Sequence, residues 1–303
     1  MSLIVTGSIG IDTIHTPTGQ APDVLGGSAI YFVAAASFSG PVRLVGAVGD
    51  DFPDELEKPF RHFDIDLTGL EKRQGSKTFR WTGRYLENMN DRETLSVDLN
   101  VLAEGLPPVP EAYRDSRYVF LANAHPAGQA ALLDQLPDAK LVVADTMDLW
   151  IAQEKDALLS LLKRINGLVL NDSEAAELTG ETNIVRAGEA VLALGPEFVV
   201  IKRGEHGAFL LHAEGAVSLP AYPAREVIDP TGAGDTFGGG MMGHLAKTHG
   251  RTSLGNLKKA MAAGTVVASY NIESFSLGRL MEIGRSDLEL RTAEYAGMLD
   301  LGV

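Results

Sequence analysis

The residues with the clearest chemical potential lie late in the chain, at Asp229-Pro230-Thr231-Gly232-Ala233-Gly234-Asp235-Thr236, followed by Phe237-Gly238-Gly239-Gly240. Two glycines flank an alanine where a helix should begin, so the backbone there can approach a ligand closely. The N–H groups of a first helical turn have no partners within the helix, and they attract an anion. A carboxylate at Asp235 is misplaced beside a bound phosphate unless it does chemistry, taking a proton from an attacking hydroxyl. Phosphoryl transfer to an alcohol uses both features. The competing reading of Asp235-Thr236 is an N-terminal cap for the same helix.

Other polar residues fall just after apolar runs, where open α/β sheets bind their ligands. Asp12 comes after the run 3–8, Asp145 after 140–144 and Asn171 after 166–170, while Lys202 and Arg203 end 197–202. Each of these, taken singly, is also an ordinary loop residue. The stretch Thr146–Trp150 either lines a pocket or fills a loop, and His125 and His244 read as structural. Competing motifs fail. No Gly-Lys pair occurs, which excludes a Walker A loop, and Phe237 stands where a third glycine would complete a dinucleotide fingerprint. A dinucleotide-dependent oxidoreductase is disfavoured on that ground. There is no nucleophile elbow and no HExxH helix. The seven histidines show no metal-ligand spacing.

These residues need a scaffold, and the pattern supplies one. Apolar runs at 3–8, 42–48, 117–122, 140–144, 166–170 and 197–202 read as buried strands. Helical stretches are expected at 27–39, 52–63, 126–136, 151–165, 172–179, 185–195, 233–247, 254–272 and 285–299, with a hairpin at 207–219. Strands alternating with helices, and apolar nearly throughout, predict an α/β fold with a mostly parallel central sheet sandwiched by helices. Residues 77–101 differ in texture. Aromatic and threonine alternation around a polar Glu87–Asp91 turn predicts exposed antiparallel strands. The expectation is a single domain over 1–303, with a small β lid from approximately 13–20 and 75–103 inserted in it. The aromatic lid residues Phe79, Trp81 and Tyr85 would meet a ligand or a second subunit.

Bulk composition sets limits. The 303 residues carry a formal net charge of −14, and no Lys/Arg cluster exceeds a pair. Nucleic acid and anionic membrane are therefore poor partners. With no cysteine, the chain has no disulfides, thiolate nucleophiles or Cys-ligated metals. Neither a signal peptide nor a run of 18 apolar residues is apparent, so a cytoplasmic protein is expected.

The segment Asp229–Asp235 (DPTGAGD) resembles the C-terminal signature of the ribokinase-like, or PfkB-type, carbohydrate and nucleoside kinases. Gly26-Gly27-Ser28-Ala29 resembles that family's N-terminal glycine pair, and the likeness spans essentially the whole chain. It implies an ATP-dependent kinase that phosphorylates a hydroxymethyl group of a small sugar, with ATP and Mg²⁺ as cofactors and a monovalent cation left open. Asp235 would be the general base, and Gly232, Ala233 and Gly234 the anion hole. Asp12, Gly26 and Gly27 would hold the acceptor, with Asp145 and Tyr31 near it. Asn171 and Glu174 would match an N-x-x-E element that organises Mg²⁺ and phosphate through water. Lys202, Gly204, Gly207 and Thr231 would meet the nucleotide phosphates. Two positions depart from the family pattern. Tyr31 stands where many members have an asparagine, and Lys202 where many have Thr or Ser. A nucleoside acceptor is the alternative within the family, which Tyr31, Trp81 and Tyr85 mildly favour. A catalytically idle sugar- or nucleotide-binding module is the alternative outside it. A homodimer through the lids is a further expectation.

Overall fold

The computed structural model describes residues 2–300 and 302. The chain opens with strand β1 (Leu3–Thr6) and a hairpin of β2 (Gly10–Thr16) and β3 (Gly19–Gly26). Helix α1 (Ser28–Ser37) leads to β4 (Val42–Gly49), a short α2 (Lys58–His62) and β5 (Asp66–Arg73). A second hairpin follows, β6 (Phe79–Tyr85) with β7 (Arg92–Asp98). Next come β8 (Tyr118–Leu121), α3 (Pro126–Leu133), β9 (Leu141–Asp145), α4 (Asp148–Gln153) and α5 (Lys155–Leu162). After them lie β10 (Gly167–Asn171), α6 (Asp172–Thr179), α7 (Ile184–Ala193) and β11 (Phe198–Lys202). An edge hairpin of β12 (Ala208–His212) and β13 (Gly215–Leu219) precedes α8 (Ala233–Lys247), α9 (Leu254–Asn271), α10 (Gly278–Glu282) and α11 (Arg285–Leu299).

The central sheet has nine strands in the order β13-β12-β11-β10-β9-β8-β1-β4-β5. Its ladders are parallel from β11 to β5, and only β12 and β13 run antiparallel, at one edge. Side chains alternate across a strand, and here both faces are apolar. Leu3 and Val5 join one core with Phe120, Val143, Val169 and Val200, under α1, α8 and α9. Ile4 joins the other with Val119, Leu121, Leu168 and Ile201, under α3, α5, α6 and α7. That double burial explains why these strands read as unbroken apolar runs. No helix among the described residues is long and apolar enough to cross a membrane.

A second sheet, ordered β3-β2-β6-β7, is the lid. Its first hairpin occupies residues 10–26 and its second 79–98, against the 13–20 and 75–103 read from sequence. The two are joined by a parallel ladder between β2 and β6, which sets Asp12 level with Trp81. Two expected helices are broken. In 52–63, Pro53 and Pro59 supply no N–H to a helical ladder, so a 3₁₀ turn at Asp54–Glu57 precedes the short α2. The stretch 151–165 divides at Glu154, whose φ of −126 and ψ of 34 end α4 and start α5. Strand β5 was not anticipated, because its sequence DLTGLEKR is mostly polar and it lies at the sheet edge.

Helix α8 packs between α1 and α9, and its glycine run makes that possible. A Cβ on Gly239 would lie 2.3 Å from the Phe32 carbonyl oxygen of α1 and 2.9 Å from Ala35 Cβ. Gly239→Ala should therefore push α8 off α1 and lower unfolding stability by about 1–3 kcal/mol, as overpacking does elsewhere. Urea denaturation followed by circular dichroism measures this, and an unchanged midpoint would contradict the tight contact.

Candidate active site

The turn before α8 is held from three sides. Asp229 is buried, and its carboxylate accepts the backbone N–H of Thr231 at 2.9 Å and of Ser276 at 3.3 Å. Asn271 donates its amide to the Thr231 carbonyl at 2.8 Å. Gly232 then takes a left-handed conformation, φ 72 and ψ 3, and only glycine fits, since a Cβ there would fall 2.2 Å from the Tyr31 ring. The result is an open, half-buried first turn. No side chain caps it, and the N–H groups of Gly234 and Asp235 have no acceptor among the described residues. The capping role weighed for Asp235 and Thr236 is thus not the one they adopt.

Asp235 sits in this turn with Lys202, Asp145 and Glu174 around it. Its carboxyl is pushed up to about 7, first by burial and then by Asp145, while Lys202 and Arg92 oppose the rise. Among the described residues it accepts no hydrogen bond. A carboxylate poised near neutrality, with free lone pairs, is suited to receive a proton. The Lys202 ammonium lies 3.4 Å from Asp145 Oδ2. Burial alone would depress it, but Asp145, Glu174 and Asp235 together hold its pKa above the ordinary lysine value, so it stays charged. Burial raises Asp145, and Lys202 pulls it back. Glu174 is pushed up to about 7 by burial and by Asp145.

Asn171 and Glu174 carry a structural task at the same time. They form the capping box of α6, with Asn171 Oδ1 accepting the Glu174 N–H at 2.8 Å and Glu174 Oε2 accepting the Asn171 N–H at 2.7 Å. Gly204 and Gly207 bracket a 3₁₀ turn just beyond β11. Thr231 is nearly buried, and its hydroxyl donates to Tyr85 of the lid at 3.3 Å.

On the acceptor side, Asp12 lies against Gly26, where a Cβ would come 1.9 Å from Asp12 Oδ2. Gly27 has φ 99 and abuts Ser8, whose carbonyl oxygen would lie 2.4 Å from a Cβ at that position. Asp12 is 4% exposed, and its Oδ1 has no partner among the described residues. Burial, followed by the charge of Asp229, pushes its carboxyl up to about 7. Tyr31 is 1% exposed and its hydroxyl is also unpartnered. Burial, with Asp229 and Asp12 nearby, keeps that phenol protonated. Two polar atoms thus lie unpartnered in one buried corner.

The lid covers both sides. Asn90, at the tip of the β6–β7 hairpin, donates to Glu205 in the turn after β11 at 3.4 Å. Arg92 is paired with Tyr85 in the ladder, its guanidinium 5.9 Å from the Trp81 ring centroid, and its charge reaches Asp235 and Glu174. Sequence reading passed over Asn90 and Arg92; their place within and just past the expected Glu87–Asp91 turn was the available signal. Asp145, expected near the acceptor, is ion-paired with Lys202. His125 packs on Trp150, ring centroids 5.2 Å apart. Trp150 donates to Asn123, whose carbonyl accepts from Ser28, next to the Gly26-Gly27 pair.

A family model described as pfkB family carbohydrate kinase matches residues 23–283. The chain belongs to that family. Within it, the chain is a sugar or nucleoside kinase of the ribokinase type, a phosphotransferase with an alcohol group as acceptor. It is 30% identical over 248 residues to a cytidine kinase of Thermococcus kodakarensis, covering 80% of this chain and 87% of the relative. It is 26% identical over 273 residues to the aminoimidazole riboside kinase of Salmonella typhimurium, covering 81% of each. Among solved structures, Burkholderia thailandensis nucleoside kinase in complex with inosine superposes with a TM-score of 0.77 at 18% identity, over 97% of this chain and 99% of that one. Arabidopsis thaliana ribokinase complexed with ribose and ATP gives 0.77 at 19% identity, over 96% and 98%. At that identity the structures show the fold.

The raised carboxyls make stability depend on pH with a definite sign. Asp12 has an ordinary value of 3.8 and a folded value of about 7. Between those two, the folded chain keeps a proton that the unfolded chain releases, so stability falls as pH rises through that window. Asp12→Asn should therefore melt a few degrees above wild type at about pH 8 and show no such gain at about pH 4. Thermal melts at the two pH values test it; an equal shift at both would contradict the assignment.

Proposed function

We propose that this kinase transfers the γ-phosphoryl group of ATP to the hydroxymethyl group of a pentose-containing acceptor, with a nucleoside preferred over a free sugar. The observation that carries the reading is the pairing of an unpartnered Asp235 with the open N–H groups of its own helical turn. The acceptor CH₂OH lies between Asp235 and the γ-phosphorus. Its proton passes to Asp235 as the new O–P bond forms, and the P–O bond to ADP breaks with its electron pair leaving on ADP. The Gly234 and Asp235 N–H groups and Lys202 stabilise the oxygens that gain charge. Asp12, with its free Oδ1, orients a second hydroxyl of the acceptor, and the lid excludes water that would waste ATP.

Among the described residues no three His, Cys, Asp or Glu side chains gather into a metal cage. Glu174 would hold a water of an Mg²⁺ ion bound with the nucleotide, and that ion would supply neutralisation of the phosphate oxygens. Dependence on ATP fits a cytoplasmic location.

The preference for a nucleoside is supported by aromatic surfaces around the acceptor corner. Trp81 is level with Asp12 on the neighbouring strand, and the His125–Trp150 pair stands behind Asn123. It is also supported by the relatives named as cytidine kinase, aminoimidazole riboside kinase and nucleoside kinase. A second copy docking on the lid is part of this reading. Strand β7 is exposed throughout and is an edge strand, with Leu95 at 44% and Val97 at 51% exposure.

Assays with Mg-ATP against cytidine, adenosine, inosine, ribose and fructose should show turnover with at least one nucleoside above either sugar. Turnover on a free sugar alone would reverse the preference. Asp235→Asn should keep ATP binding and lose roughly 10²–10⁴ of kcat; near-normal turnover would refute the base. In wild type, turnover should fall on acidifying below the Asp235 value of about 7, because a protonated carboxyl takes no proton. Light scattering tests the dimer, and a monomeric mass at high concentration removes it.

A further inference from the structure

Asp145 and Lys202 are arranged in a way that an acceptor contact does not explain. Asp145 ends β9 and Lys202 ends β11, with β10 between them. Adjacent strands lie roughly 4.8 Å apart, so the lysine arm must cross the end of β10 to reach its partner. It does so, with Nζ 3.4 Å from Asp145 Oδ2. The other carboxylate oxygen accepts the Thr146 N–H at 2.8 Å. Both oxygens are committed, and the side chain is 7% exposed.

The ammonium comes to rest on the anion-binding turn. A Cβ on Gly234 would lie 2.9 Å from Lys202 Nζ. An ammonium has three donors, and only the one to Asp145 has an acceptor among the described residues. Without Asp145, a flexible four-carbon stem would carry the charge out toward water. Without Lys202, Asp145 would be a buried, uncompensated charge. Each side chain thus fixes the other. A charge held in place beforehand, aimed where negative charge develops, needs no reorganisation during the reaction.

We propose that Asp145 is a positioning residue and not an acceptor ligand: its ion pair holds the Lys202 ammonium against Gly234, where the two free donors meet the phosphoryl group in transfer. This rests on the phosphotransfer reading above. The test uses Asp145→Asn, Lys202→Met and the two combined, with steady-state kinetics and with calorimetric affinities for ADP and for a non-hydrolysable ATP analogue. The double variant removes both members of the ion pair together, so it serves as a folded reference if a single variant is unstable.

Each single variant should lose roughly 10²-fold in kcat, with the acceptor KM held within about twofold. The double should be no worse than the poorer single, because one charge is being removed twice. The triphosphate analogue should lose affinity while ADP keeps it. An acceptor KM that rises in Asp145→Asn with kcat retained would make Asp145 an acceptor ligand and overturn the proposal. Multiplying losses, or equal loss of ADP and triphosphate affinity, would overturn it too. A wild-type chain that releases no ADP with any sugar or nucleoside would sink the phosphotransfer reading itself. The ADP-against-triphosphate comparison would still report on the Lys202 contact.

Discussion

Two backbone N–H groups at the start of α8 are unpaired among the described residues, and much of the surrounding structure holds the turn in that state. A buried donor left without an acceptor costs about 1–3 kcal/mol, so a turn free to move would close on itself or tilt toward water. Here Asp229 ties the turn to residue 276, Asn271 ties it to α9, and Gly232 lies flat on the Tyr31 ring of α1. The glycine face of α8 then lets three helices lock together directly behind it. Fold and site are in this sense one construction: the packing of α1, α8 and α9 sets where the proposed anion site lies.

The same region concentrates negative charge. Asp12, Asp145, Glu174, Asp229 and Asp235 are all raised by burial; Lys202 opposes the rise at Asp145, Glu174 and Asp235, and the lid's Arg92 at the last two. Such crowding works against the folded state, and proteins keep arrangements of this kind where function needs them. It also sorts roles. The carboxylates with both oxygens engaged, Asp145 and Asp229, brace their surroundings. Those with free lone pairs, Asp12 and Asp235, are the two that the proposed reaction uses.

How far the sequence reveals this depends on whether an interaction is local. Helix α8 and its entry turn were legible because the glycines, the proline and the carboxylate act within one turn of chain, and the boundaries 233–247 and 172–179 match α8 and α6. The parallel strands were legible because both of their faces are buried. Strand β5 was not, since an edge strand needs few apolar residues. Nor were β2 and β3 fully, since 10–26 mixes Pro, Gly and Thr without steady alternation. The partnership of Asp145 with Lys202 was out of reach. It joins residues 57 apart through the spatial order of three strands, and no local pattern encodes that order. Asn171 and Glu174 were read for their bearing on phosphate, while the same spacing also builds a helix cap.

The lid has one more property, set by how it is strung. Its first hairpin meets the body through Gly7–Ile9 on one side and through the Gly26-Gly27 peptide on the other, and Gly27 is wedged against the Ser8 carbonyl. Those two stretches of chain touch each other, so the first hairpin joins the body at one place. Asp12, Gly26 and Gly27, the corner proposed above for the acceptor, therefore lie where the lid is fastened. On that reading, a molecule seated there would brace the joint between cover and body.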